Sequence, residues 1–129
     1  MTGRSAPRNE RLERETMTAE EFRKMVLSLP ETSEAAHMGH PDFRVAGKIF
    51  ATLSPPGHGW AMVKLTPEQQ ESFVQAEPEV FTPFNGAWGR AGATKVQLRA
   101  AKKNTLRAAL VFAWRDRAPK RLVQKFDGE

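Results

Sequence analysis

The chain contains no cysteine. A disulfide framework, a thiolate metal site and a cysteine nucleophile are therefore excluded, and a reducing compartment suits it. No apolar run approaches the roughly 20 residues that cross a bilayer. Residues 1–16 hold no apolar stretch of the kind that marks a secretory leader. A cytoplasmic location is the expectation. Phosphate-cradling glycine motifs are missing as well. Gly86, Gly89 and Gly92 precede an expected strand, whereas a cradle loop opens a helix. Histidine is scarce, with three in the chain. His37 and His40 stand near Glu34 and Asp42, but across a strand end and a His-Pro turn rather than along one helix face. No metal site and no cofactor is expected from them. Glu68 and Glu71 share a helical face and read as solvated surface with favourable charge near a helix start. No Ser or Thr shows a partnered histidine. The expectation is a protein that is not an enzyme.

What is present fits one compact domain. The 129 residues include eight Phe and three Trp, enough for one modest core. The net charge of +5 is unevenly spread. From Met17 to Gly89 five Lys/Arg face nine Asp/Glu, whereas from Arg90 to Glu129 eleven Lys/Arg face three acidic residues. A basic C-terminal third can draw a polyanion to one side of the molecule. The plainer reading is a solvated surface that keeps the protein soluble.

Residues 1–16 mix Arg, Glu, Ser, Pro and Asn around a single leucine and read as a disordered arm. Residues 17–126 read as a single domain. Thr18 and Glu21 form a capping-box pair, flanked by Met17 and Phe22 in staple positions. Phe22, Met25, Val26 and Leu29 follow as one apolar stripe, and Pro30 ends the helix. A strand around Ala35 to Gly39 is expected next. Then Asp42–Ala46 and Lys48–Leu53 form a hairpin around Gly47, which can take the positive φ of a tight reversal. Pro and Gly make Ser54 to Gly59 a loop, and Trp60 to Leu65 is a further strand. Thr66, Pro67 and Gln69 start a second helix. Glu79 to Ala93 reads as irregular. Thr94 to Arg99 is the last expected strand, with Val96 and Leu98 inward. A final helix runs from an Asn104 cap to Arg115, burying Leu106, Ala109, Leu110 and Ala113 with Trp114 at its margin. Lys120 to Lys125 reads as a basic tail. Helices at both ends of a run of strands give an α+β fold, an antiparallel sheet with N- and C-terminal helices packed on one face.

Four segments in this order, Phe43 to Leu53, Val63 to Gln70, Gly86 to Arg90 and Thr94 to Leu98, resemble the MmcQ/YjbR-like family across most of the chain. The resemblance implies a frataxin/CyaY-like fold and a double-wing, DNA-binding arrangement. It carries over no catalytic or base-reading positions, because the family's binding residues are not settled.

Nucleic acid therefore has the strongest composite case. Arg44 and Lys48 flank the hairpin turn. Lys64, Lys95 and Arg99 occupy strand positions pointing away from apolar neighbours, and Lys102, Lys103 and Arg107 open the last helix. Such cations give phosphate contacts that are salt-dependent and largely indifferent to sequence. Arg99, Lys102, Lys103 and Arg107 are expected to carry most of that affinity. Arg90 beside Trp88 could pair with a phosphate while the ring stacks on a base. For Trp88, however, the first reading is a core plug that locks an irregular loop. Lys48 and Lys64 read alternatively as long stems covering apolar surface. The leading expectation is a monomer that binds duplex DNA weakly. The rival is a protein-interaction or small-ligand module using the concave face of the sheet.

Overall fold

Two of the three helix starts expected from the sequence, at Thr18 and Thr66, are present in the computed structural model, which describes residues 17–37 and 39–128. The expected arm, residues 1–16, lies outside the described residues. Thr18 accepts from the Glu21 amide at 3.1 Å, and the Glu21 carboxylate accepts from the Thr18 amide at 3.0 Å. Two otherwise orphaned donors are satisfied, and helix α1 (Ala19–Leu27) begins there. Thr66 and Gln69 repeat the arrangement at helix α2 (Pro67–Ala76), with Pro67 in the first turn. Helix α1 ends at Leu27, and Leu29 is buried just beyond its cap.

Six strands form one antiparallel sheet: β1 (Thr32–His37), β2 (His40–Val45), β3 (Lys48–Leu53), β4 (Trp60–Lys64), β5 (Phe81–Pro83) and β6 (Ala93–Gln97). Their spatial order is β1-β2-β3-β4-β6-β5. The β2–β3 reversal falls at Gly47 as expected, but it takes Ala46 from the first strand into the turn. Ala46 and Gly47 both have positive φ, 53° and 78°, the twist that matches two right-handed strands. A bulge between β2 and β3 pairs Phe43 with Ala51 but Arg44 with Ile49. Phe50 is the extra residue, and Phe50 and Ala51 are both fully buried. The bulge thus turns Ile49 to the other face of the sheet.

The remaining helices are α3 (Gly86–Arg90), α4 (Lys103–Arg117) and α5 (Lys120–Asp127), with a single 3₁₀ turn at Leu98–Ala100. Helices α1 and α4 pack on the face that carries Phe43, Ala51, Val63 and Thr94, which are partners across four strands. Phe22, Val26, Leu106, Ala109, Leu110 and Ala113 complete that core. The α+β expectation, with terminal helices on one face, holds.

Four local expectations are corrected. Trp114 is not marginal: it is fully buried, and its indole N–H donates to the Pro30 carbonyl at 3.0 Å. Lys102 rather than Asn104 caps α4. The expected basic tail is helix α5, because Leu122, Val123 and Phe126 form an apolar edge against the core, with the Phe126 ring tilted against Trp114 at a centroid distance of 5.1 Å. Pro119 stands at the start of that helix, where a proline leaves no N–H unpaired. Within the expected irregular stretch, Phe81–Pro83 pairs in register with Val96 to Thr94, and α3 follows.

Candidate functional site

The face of the sheet opposite α1 and α4 is incompletely covered. Across it runs a second row of register partners: Asp42, Thr52, Met62, Lys95 and Thr82. Strand alternation places His40 and Arg44 beside Asp42, and Trp60 and Lys64 beside Met62. Between His40, Asp42, Thr52, Trp60, Met62 and Lys64 lies a groove of about 460 Å³. Ile49, turned outward by the bulge, and Trp88 from α3 complete its lining.

Three aromatic rings form a ledge along one side. Trp60 meets Phe84 edge-on at 5.7 Å, and Phe84 meets Trp88 at 4.8 Å. The Lys95 ammonium stands 5.5 Å from the Trp60 ring centroid, within cation–π range. Lys64 reaches the other way, donating to the Ala91 carbonyl at 3.3 Å just after α3. Trp88 remains 51 % exposed. The core-plug reading of Trp88 is therefore corrected. The buried member of this short helix is Gly89, packed so closely on the Phe84 carbonyl that a Cβ there would collide with it. The backbone approach of Gly89 seats the helix, and the indole is left at the mouth of the groove.

Gln70 fixes α3 from beneath. Its buried amide donates to the Gly89 and Ala93 carbonyls at 3.0 and 3.1 Å and to Thr94 Oγ1 at 3.1 Å. The aromatic ledge is consequently held by the fold rather than by its own side chains.

At the other side of the groove Asp42 is 1 % exposed and paired to Arg44, with Nε on Oδ1 at 2.9 Å and Nη2 on Oδ2 at 3.2 Å. This two-pronged geometry is the one in which a buried carboxylate is best compensated. It also holds the Arg44 guanidinium above its ordinary pKa, chiefly through the hydrogen bonds to Asp42. His40 lines the groove too, and among the described residues its buried Nδ1 has no hydrogen-bond partner.

The nine cations expected to contact nucleic acid do not form one patch. Arg44, Lys64 and Lys95 lie on the open face, and Arg90 is exposed at the end of α3. Lys48 pairs with Val45 at the hairpin end, on the opposite side of its strand from Ile49. Arg99 is exposed on the 3₁₀ turn, and Lys102 caps α4. Lys103 stands 4.0 Å from Glu21, and Arg107 is 3.5 Å from the Ser28 hydroxyl. Both therefore belong to the helical layer beside α1. Trp60, Thr52, Met62, Ile49 and Phe84 were not singled out by the sequence as ligand-facing. For Thr52, Trp60 and Met62 the alternation in β3 and β4 carries the signal once the register is known, whereas Ile49 is released by the bulge and Phe84 lies just beyond β5. Among the described residues no group of three or more His, Cys, Asp or Glu could hold a metal ion. The side chain of His37 lies outside the description. No helix among the described residues is long and apolar enough to cross a membrane.

Fold and groove together define a small α+β domain with one helix-covered and one open sheet face. The YjbR family model matches residues 27–116, and the chain belongs to that family. A crystal structure of the Deinococcus radiodurans protein DR2400, with a DUF419 domain, is similar to it. That structure has a TM-score of 0.66 at 19 % identity, covering 77 % of each chain. At this identity the likeness is one of fold alone. No curated protein matches the chain.

Proposed function

We propose that this protein is a non-enzymatic domain that binds nucleic acid, weakly and with little sequence preference, along its open sheet face. One observation carries the reading: Lys64 and Lys95 share that face with the Trp60–Phe84–Trp88 ledge. Cations tracking a phosphate backbone beside exposed aromatic rings are the two parts of sequence-tolerant nucleic-acid binding. The net charge of +5 favours the same partner. The expected result is binding of a labelled oligonucleotide that weakens steeply when salt is raised from about 50 to about 200 mM. Affinity independent of salt would count against phosphate contacts.

A second reading, a small-ligand module, is favoured by the shape of the groove. Its volume of about 460 Å³ and its Ile49, Met62 and Trp60 lining suit a site in the range of roughly 300–1,000 Å³ with a few polar groups. Thermal stabilisation of the domain by an uncharged aromatic compound, with no oligonucleotide binding, would move this reading ahead.

A further inference from the structure

Resting on the nucleic-acid reading, we propose that the groove seats an unpaired base of a single strand, so that the protein prefers single-stranded nucleic acid to duplex. A duplex keeps its bases stacked inside and offers grooves and phosphate rails. Lysines alone would serve those. The open face offers more. Trp88 is half exposed on a helix of five residues, and that helix is pinned by Gln70 and by the Gly89 approach to Phe84. A rigid exposed indole is pre-organised to receive a flat ring with little further loss of freedom. Behind it the groove is concave and apolar at Ile49 and Met62, with the Thr52 hydroxyl offering a polar contact to a ring edge. Lys64 and Lys95 stand beside the ledge, where the phosphates flanking a seated base would run. Apolar walls, a polar edge group and neighbouring cations match the faces and edge of a base and the phosphates beside it. A buried Asp42 already neutralised by Arg44 adds little repulsion.

The test uses the full chain and fluorescence anisotropy with a labelled oligothymidylate, a duplex of the same length, and thymidine monophosphate as competitor. The expected result is single-strand affinity at least about tenfold above duplex. Trp88→Ala should lower single-strand affinity by roughly 5- to 150-fold, the range for one base–aromatic stack, and collapse the single-strand preference. Trp88→Phe should restore most of it. A melting curve run alongside checks folding. Thr52→Phe, which fills the groove from the half-buried Thr52 position, is a second variant with the same expected loss. Equal affinity for single strand and duplex, unaffected by either variant, would overturn the base seat while leaving nucleic-acid binding intact. Absence of binding to any oligonucleotide would remove both readings. Thymidine monophosphate binding as tightly as the strand would replace the strand by a free nucleotide as occupant.

Discussion

Replacing Gly92 by alanine is expected to cost the domain a large part of its stability. Gly92 is buried between α3 and β6 with φ +117°, a conformation that L side chains rarely adopt. Its carbonyl accepts from the Leu65 amide at 3.0 Å and from the Thr94 hydroxyl at 2.9 Å, so the backbone there is held from two sides. An added Cβ would collide with the Leu65 carbonyl. Backbone atoms cannot rotate away as a flexible side chain can. Strain of about 1–3 kcal/mol at the dihedral angles would be joined by about 1–3 kcal/mol of overpacking. The sum is a large part of the roughly 5–15 kcal/mol that holds a typical domain. Chemical denaturation should show the midpoint falling sharply or the cooperative transition disappearing. A midpoint within experimental error of the parent would mean that the α3–β6 junction is not packed as described.

Trp114→Ala should rank close behind, at about 3–5 kcal/mol for removal of a large buried aromatic. Two neighbours are left without a partner. The Pro30 carbonyl is deprived of its indole donor at 3.0 Å, and Phe126 of the ring 5.1 Å away that holds α5 to the core. Trp114→Phe separates these contributions. It keeps a six-membered ring in the core but removes the N–H donor and part of the indole, so a smaller cost of about 1–3 kcal/mol is expected, from the unpaired Pro30 carbonyl and the lost volume. Equal destabilisation by the two variants in denaturant titrations would place the stabilisation in the hydrogen bond rather than in the packing.

Legibility in the sequence followed the range of each interaction. The Thr18–Glu21 and Thr66–Gln69 boxes are closed within four residues, and both are where the residues indicate. The Ala46-Gly47 reversal is equally local. Strand β5 was hidden because three residues form it only by pairing with β6. Helix α5 was masked by its lysines and arginine, although Leu122, Val123 and Phe126 already outline one apolar edge.

The groove was harder to read because it depends on phase. Unbroken alternation through Ile49, Ala51 and Leu53 would send Ile49 into the core. The bulge at Phe50 instead places Phe50 beside Ala51 in the core and releases Ile49 to the open face. Trp88 misled for a related reason. Its size suggested burial, yet the close approach in that helix is made by the Gly89 backbone. Charge alone pointed to Arg99, Lys102, Lys103 and Arg107 as a cluster. Lys103 and Arg107 lie in the helical layer beside α1, whereas Lys64 and Lys95 share the open face with the aromatic ledge.

That division supplies the most direct measurement. Two charge-reversed proteins are compared for oligonucleotide affinity over a series of salt concentrations, one carrying Lys64→Glu and Lys95→Glu, the other Lys102→Glu, Lys103→Glu and Arg107→Glu. Binding on the open face predicts that the first pair abolishes most affinity and flattens its salt dependence, by close to one unit of slope for each phosphate no longer neutralised. The second set should leave the larger part of the affinity in place. The opposite ranking, with both proteins folded, would move the interface to the helical layer and contradict binding on the open face.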